Sequence, residues 1–372
     1  MTSDVPDTIT VVSFPRPHKI GTPTVPVPKL KDGDFFVKAL YSGISAGTEL
    51  TFFLGTNPKT SEGWDETHRL FRGDVEPDAG EIYPMLKGYM QTGIVTASKN
   101  PKVKVGSIVG GKYGHTTGHV MTKDDFWILL PDNLDPMLGV IVPWMGPICM
   151  NGILYAADDL TRTELKTLKG SLTGQRVMVF GAGMVGVLTG LFAKWAGARE
   201  VGIVDGIPER LEIAKKLGFK PFLAKPTLAL DVKKHWHTAD PLDTGADIAF
   251  QCTGSDFLLH QAFSCLREQG TVIDMGFYQQ GAAQVLFGKE FHHNRLRHIC
   301  AQIGAMPRHQ QQYWDRVRLA GETITFLQEY GDIIKEHVIT HVLPFTKAQH
   351  AYDHLAERDP KMLQVILQAN ES

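Results

Sequence analysis

Cysteine is scarce in this sequence. Cys149, Cys252, Cys265 and Cys300 are the only four, widely scattered and without a Cys-x-x-Cys pair. Such spacing argues against a disulfide framework or a zinc cage and fits reduced thiols in a cytoplasmic protein. An excess of either charge is missing too. Lys and Arg number 38 against 40 Asp and Glu, a formal net charge of −2, with no basic run. No nucleic-acid or acidic-membrane partner is expected from that balance. No apolar run approaches the roughly 18 residues needed to cross a bilayer. Met1-Thr2-Ser3-Asp4 lacks the charged-then-apolar start of a secretory signal. The expectation is a soluble chain, and 372 residues suggest two domains, three at most.

What the sequence does hold is concentrated between Arg176 and Asp205. Val177-Met178-Val179-Phe180 is a short apolar run rich in β-formers, and Gly181-Ala182-Gly183-Met184-Val185-Gly186 follows it. An apolar helical segment, Val187 to Trp195, leads to Val201-Gly202-Ile203-Val204 and an acid, Asp205. Strand, Gly-x-Gly-x-x-Gly, helix, strand and acid together make the dinucleotide-binding fingerprint. Gly181 permits the tight turn, and Gly183 lets the backbone approach a pyrophosphate seated on the helix N-terminus. Gly186 lets helix and strand pack closely. Asp205 would accept hydrogen bonds from the adenosine ribose and repel a 2′-phosphate, which favours NAD over NADP.

The flanking chain reads differently. Short strand-like runs before residue 143, such as Thr8 to Val12, Asp34 to Leu40, Gly93 to Thr96 and Ser107 to Val109, predict a β-rich domain with a partly open barrel. A polar, irregular stretch at 55–84 has the length of a lid or binding loop. Helical spacing from Ile148 to Leu168 predicts a connecting helix. Strands then alternate with helices: Ala246 to Cys252, a helix Phe257 to Leu266, Gly270 to Gly276 and His298 to Gly304. That alternation predicts a doubly wound parallel sheet. A helix Trp314 to Tyr330, a strand Val338 to Phe345, a helix Thr346 to Leu355 and a strand Met362 to Leu367 close the chain.

This order, with Gly43-Ile44-Ser45-Ala46-Gly47-Thr48-Glu49, Gly270-Thr271-Val272-Ile273-Asp274-Met275-Gly276 and Ile339-Thr340-His341-Val342-Leu343-Pro344, resembles the medium-chain dehydrogenase/reductase superfamily. The match covers nearly the whole chain. Ser42 to Glu49 and Glu290-Phe291-His292-His293-Asn294 look more specifically like the branch with the bacteriochlorophyllide hydroxyethyl dehydrogenases. The resemblance implies an α/β fold in which a Rossmann doubly wound parallel sheet is inserted in a GroES-like, mostly β catalytic domain. The expected divisions are 1–150, 151–305 and 306–372. It also implies a homodimer, an alcohol or carbonyl substrate, and cofactor contacts from Met184, Val185, Arg210, Cys252, Thr253, Gly254, Gly276, Phe277 and Gln302 besides Gly181, Gly183 and Asp205.

The departures from the family pattern carry the chemistry. Zinc members place Cys where this chain has Ser45, and Gly-His-Glu where it has Gly88-Tyr89-Met90. Their third ligand lies near Trp144-Met145-Gly146-Pro147, and their four-cysteine lobe is missing. Ser, Tyr and Met are poor zinc ligands, so a metal-free protein is expected. Catalysis then falls to Ser45, Thr48, Glu49 and Tyr89: Thr48 as a proton relay, Glu49 orienting a base or binding a hydroxyl, and Tyr89 with its phenol at the reacting carbon. Lys87 stands two residues away and could lower the Tyr89 pKa. Lys87, His115, Trp144, His292, His293 and Asn294 are the candidate substrate contacts, with His293 and its neighbours equally suited to a dimer contact. Trp64, His68, Arg69 and Arg72 read as a solvated loop more than a lid, and His235-Trp236-His237 as surface. The leading function is NAD-dependent oxidation of a secondary alcohol, with so many polar groups suggesting a sugar, cyclitol or polyol. A zinc-free quinone or enoyl reductase, or a non-catalytic NAD-binding sensor, are the alternatives.

Overall fold

The strand Phe35–Gly43 organises the pairing of the first structural unit. In the computed structural model, which describes residues 5–369, it pairs along one edge with Gln91–Ser98. Along its other edge Gly118–Met121 takes Phe35 to Lys38, and Gln364–Gln368 takes Tyr41 to Gly43. Irregularities at Phe36/Val37 and Ala39/Tyr41 bend the strand between these partners. The resulting seven-stranded sheet runs Trp127–Leu129, Ile108–Gly111, Gln91–Ser98, Phe35–Gly43, Gln364–Gln368, Ile339–Pro344, with Gly118–Met121 beside Phe35–Gly43. The end of the chain is therefore an integral strand of a sheet begun more than 300 residues earlier (Ile366 pairs with Gly43).

A helix, Ala46–Phe53, leaves Phe35–Gly43 within three residues. Its N-cap is Ser45, but the Ser45 hydroxyl makes no cap bond. Instead the Glu49 carboxylate reaches back to accept from the Ser45 N–H at 2.8 Å. That is the reverse half of a capping box, one residue late, and it leaves the Ser45 hydroxyl free for other work.

The chain divides after Trp144 and rejoins the first unit at Ile339, so Met145–Val338 forms the second unit. Both boundaries differ from the expected 150/151 and 305/306. The connecting helix is Met145–Thr161, shorter at its end than expected, and Arg162 follows with φ 52°, the left-handed residue that stops a helix. The second unit extends past residue 305 because Arg316–His337 packs inward. Phe326 meets Phe192 edge-on with centroids 4.4 Å apart, and Trp314 Nε1 donates to the Leu165 carbonyl at 2.8 Å.

Six parallel strands form the core of that unit, in spatial order Lys220–Leu223, Glu200–Asp205, Arg176–Phe180, Ala246–Gln251, Leu266–Asp274, Arg297–Cys300. The chain order is thus third, second, first, fourth, fifth, sixth. Such a sheet binds ligands outside the strand C-termini, where the order reverses beside the first strand. Val177, Met178, Val179 and Phe180 are fully buried, as a strand covered on both faces requires. The expected strand His298 to Gly304 ends at Cys300; Ala301 N still bonds Asp274 O at 2.8 Å, and the chain then turns. Arg176 lies at the opposite, N-terminal end of the first strand, bonded to Asp243 and Asp247, with Arg267 on Asp247 as well. Burial acts to raise Asp247, but the hydrogen bonds from Arg176 and Arg267 outweigh it and hold the group below its ordinary value. All four cysteines are free, and burial pushes the Cys149 thiol up to about 12. Among the described residues, no helix is long and apolar enough to cross a membrane.

The glycine turn is the tightest packing in the second unit. Gly181 has φ 101°, a conformation that favours glycine. A methyl group on Gly186 would fall onto the Gly181 carbonyl and also meet Val179 Cγ1 at 3.3 Å. Backbone atoms there cannot rotate away, so Gly186→Ala is expected to destabilise the unit by about 2–3 kcal/mol. Gly183→Ala, whose new methyl would meet nothing within 4 Å, should fold normally. Thermal unfolding of the two variants checks this; equal midpoints would contradict the packing described.

Candidate functional site

Three hydroxyls meet in the first unit. The Ser45 Oγ and the Tyr89 hydroxyl share a short hydrogen bond, and the Tyr89 hydroxyl lies 3.4 Å from Thr48 Oγ1. Ser45 is buried, Tyr89 half-buried and Thr48 exposed, so the trio grades from interior to solvent. Ser45 and Thr48 come from the N-cap and first turn of Ala46–Phe53, and Tyr89 from the segment leading into Gln91–Ser98. A chain of hydroxyls with one wet end can pass a proton outward.

Beneath the trio lies a buried polar network. Glu49 is 1% exposed, and its carboxylate accepts from Ser45 N, from His115 Nε2 at 2.7 Å and from the Tyr352 hydroxyl. His115 Nδ1 lies 2.6 Å from Ser42 Oγ. With a carboxylate as its partner at Nε2, His115 is assigned the tautomer that carries its hydrogen there and takes the Ser42 hydroxyl at Nδ1. Burial, and then the Glu49 charge, push the Tyr352 phenol well above its ordinary value, so it stays a donor. Gly88, with φ 112°, lets the chain pass the imidazole: a side-chain carbon there would lie 3.0 Å from His115 Nε2.

An aromatic surface adjoins the hydroxyls. The Tyr89 and Trp144 rings are 6.5 Å apart at 61°, Phe126 meets Trp144 edge-on at 6.2 Å, and Lys112 Nζ stands 3.9 Å above the Trp144 ring. These distances fit aromatic and cation–π pairing.

Several sequence-based roles change on this geometry. Lys87 Nζ pairs with Glu81 at 2.5 Å and stands 3.9 Å over the Phe52 ring. The His115 side chain is fully enclosed, so it braces Glu49 instead of lining a substrate surface. Glu49 is likewise enclosed and orients Ser45 and His115; it does not bind a substrate hydroxyl. His292 and His293 lie on a one-turn helix, Glu290–His293, in the second unit, where His293 and Asn294 border an open depression of about 370 Å³ with Gly288, Lys289 and Glu290. Trp64, Arg69 and Arg72 belong to a small hairpin, Gly63–Asp65 with Leu70–Arg72. Arg69 lies over Trp64, and Arg72 bonds Asp65 and Asp74. Trp236 is buried, contrary to a surface reading, with its indole N–H on Glu200 at 2.7 Å.

The donor set at the hydroxyl trio does not fit zinc. Ser45 and Tyr89 are hydroxyls bonded to each other, and the nearby carboxylate of Glu49 is taken up by three donors. Among the described residues, no three His, Cys, Asp or Glu side chains come together to hold a metal.

In the second unit the donor set fits a dinucleotide. Helix Met184–Trp195 has Gly183 as N-cap with no side-chain bond, which leaves its first N–H groups open to a phosphate. The space beside Gly183 is open and that beside Gly186 is closed. Asp205, at the end of the second strand, accepts from Ala182 N at 2.7 Å and Ile207 N at 2.9 Å, with further lone pairs for a ribose. Arg210, on Pro208–Lys216, keeps a buried Nε without a hydrogen-bond partner. Cys252, Thr253 and Gly254 follow the fourth strand, Gly276 and Phe277 the fifth, and Gln302 the sixth.

Ser42, Lys112, Tyr352, Tyr278 and His298 escaped the sequence reading. The signal for Tyr352 is the stripe Ala348, Ala351, Tyr352 and Leu355 on Ala348–Ala356, which marks an inward face; nothing local shows that the phenol meets Glu49.

Comparison with known proteins agrees with this architecture. Residues 185–317 match the zinc-binding dehydrogenase family. Sorbitol dehydrogenase 1 of Saccharomyces cerevisiae is 25% identical over 262 residues, 68% of this chain and 64% of that protein. The chain thus spans somewhat under two thirds of that relative. D-xylulose reductase of Saccharomyces cerevisiae is 23% identical over 399 residues, covering 96% of both. The crystal structure of 2R,3R-butanediol dehydrogenase from Bacillus subtilis superposes with a TM-score of 0.73 at 17% identity, over 97% of this chain and all of that one. The fold is that of the alcohol dehydrogenases, a GroES-like domain with a Rossmann domain.

Tyr352→Phe tests the buried network. It removes one of three donors from a carboxylate that water cannot reach, and should cost about 1–3 kcal/mol, read as a lower denaturant midpoint at constant slope. An unchanged midpoint would mean that Tyr352 does not hold Glu49.

Proposed function

We propose that this chain is a dehydrogenase that oxidises a secondary alcohol of a sugar, cyclitol or polyol derivative with NAD, without a catalytic metal. One observation carries the reading: Ser45 and Tyr89 stand where the resembling family has zinc ligands, and they bond to each other with Thr48 as their outlet. Alcohol oxidation removes a hydride and a proton. NAD, when bound, supplies the hydride acceptor. The proton is left to the chain's own residues. Tyr89 accepts it from the alcohol while passing its own to Thr48, whose exposure opens the path to water. Ser45, fixed through its N–H by Glu49, holds the phenol in place, so the developing charge meets preset hydroxyls. Trp144 offers an apolar face to the C–H side of a sugar ring.

Gly181, Gly183, Met184 and Val185 would hold the pyrophosphate of a dinucleotide, with Asp205 and Arg210 toward its adenosine ribose. Cys252, Thr253, Gly254, Gly276, Phe277 and Gln302 serve the other half. The relatives' names, sorbitol dehydrogenase and D-xylulose reductase, support the polyol and sugar class. The likeness of Ser42 to Glu49 and Glu290 to Asn294 to the bacteriochlorophyllide hydroxyethyl dehydrogenase branch is part of this reading, as are a homodimer and a cytoplasmic setting.

Two measurements test it. NADH should bind about a hundredfold more tightly than NADPH, the equivalent of about 2.7 kcal/mol; equal affinities would remove Asp205 as selector. With a substrate found by screening sugars and cyclitols for NADH absorbance, Tyr89→Phe should lower kcat by about 10²-fold or more and leave NADH affinity unchanged. Undiminished turnover would make Tyr89 a space-filler.

A further inference from the structure

Asp274 ends the fifth strand of the parallel sheet, and it is 6% exposed. Its carboxylate is surrounded by donors. Gly276 N lies 2.9 Å from Oδ1, the Tyr278 hydroxyl 3.1 and 3.0 Å from the two oxygens, and His298 Nε2 2.7 Å from Oδ2. His298 reaches in from the sixth, edge strand, its ring edge-on to Phe263 at 5.4 Å. Burial and then the Asp274 charge push the Tyr278 phenol up, so it remains a donor. A carboxylate this enclosed needs those bonds, because a buried charge left unmet is costly.

The network has a direction. A side-chain carbon on Gly276 would fall onto the Thr253 carbonyl and lie 3.1 Å from both Asp274 Oδ1 and the Tyr278 hydroxyl. Thr253 is held in turn by the fully buried Gln251, whose Oε1 accepts from its N–H and its hydroxyl at 3.2 Å. The Thr253 methyl is the nearest atom to the position a side chain on Gly181 would take. A run of close contacts therefore leads from the glycine turn through Thr253 and Gly276 to Asp274 and His298. The sheet's two mononucleotide halves share one device: Asp205 pins the turn after the first strand by accepting from Ala182 N, and Asp274 pins the turn after the fifth by accepting from Gly276 N.

We propose that Asp274, held by Tyr278 and His298, is a positioning residue that fixes the Gly276–Phe277 turn as the seat for the non-adenosine half of the dinucleotide. The proposal rests on the NAD reading above. It assigns the second half of the cofactor to a carboxylate–phenol–imidazole cluster that touches no reacting atom and acts through backbone.

Titration calorimetry of NADH and of ADP against the full chain and its Asp274→Asn, Tyr278→Phe and His298→Gln variants tests this. Loss of a hydrogen bond to a charged group should weaken NADH about tenfold. ADP, which lacks that half, should stay within about twofold, and kcat at saturating NAD should likewise hold while KM for NAD rises. If Asp274→Asn fails to fold, Tyr278→Phe and His298→Gln decide the matter. Unchanged NADH affinity in the folded variants overturns the proposal, and so does equal loss of NADH and ADP, the mark of a general structural defect. A wild-type chain that binds neither ligand overturns the NAD reading itself, an outcome distinct from a wild type that binds NADH and variants that bind it equally well.

Discussion

A carboxylate with almost no access to water governs the first unit. Glu49 must be met by donors, since an unpaired buried charge would cost several kcal/mol. One donor is local, the N-cap of its own helix; the other two come from distant parts of the chain, His115 at 66 residues and Tyr352 at 303. None can leave without exposing the charge to an apolar interior. That obligation fixes Ser45, and through Ser45 the Tyr89 phenol. The hydroxyl trio is thereby set on a rigid base although Thr48, its outer member, is exposed.

The second unit meets a related demand by different means. Helix Met184–Trp195 must begin almost on the strand that precedes it, which only glycine at 181 and 186 allows. Strand-end aspartates fasten the loops that follow: Asp205 accepts from Ala182 N in the glycine turn, and Asp274 from Gly276 N after the fifth strand. In each unit, then, a buried carboxylate holds a segment of backbone: Glu49 through the Ser45 N–H and Asp274 through the Gly276 N–H.

Much of this was legible in the sequence, for identifiable reasons. The Arg176 to Asp205 stretch was readable because every link in it is local: strand, turn, helix and acid follow one another within 30 residues, and periodicity and glycine spacing report such links directly. The alternating strands and helices of the second unit were readable likewise. The Glu49 network was not, because His115 and Tyr352 lie 66 and 303 residues away in sequence and meet Glu49 only in the folded chain. At Lys87, proximity in sequence to Tyr89 suggested a charge effect; spacing does not reveal that its Nζ also meets Glu81 and the Phe52 ring. At His115 a histidine in a loop looked like a candidate substrate contact, but a buried acid claimed it. The domain boundary at residue 305 failed because the packing of Arg316–His337 is a matter of apolar faces, and those do not announce which neighbour they will meet.

On the proposed function, hydroxyls in place of a metal carry the proton in the first unit. The most direct test is turnover of a responsive sugar or cyclitol with NAD by protein freed of metal with a strong chelator and then dialysed. Turnover should equal that of untreated protein, with no gain on adding zinc. Loss of turnover on chelation, restored by one equivalent of zinc, would contradict the proposed function.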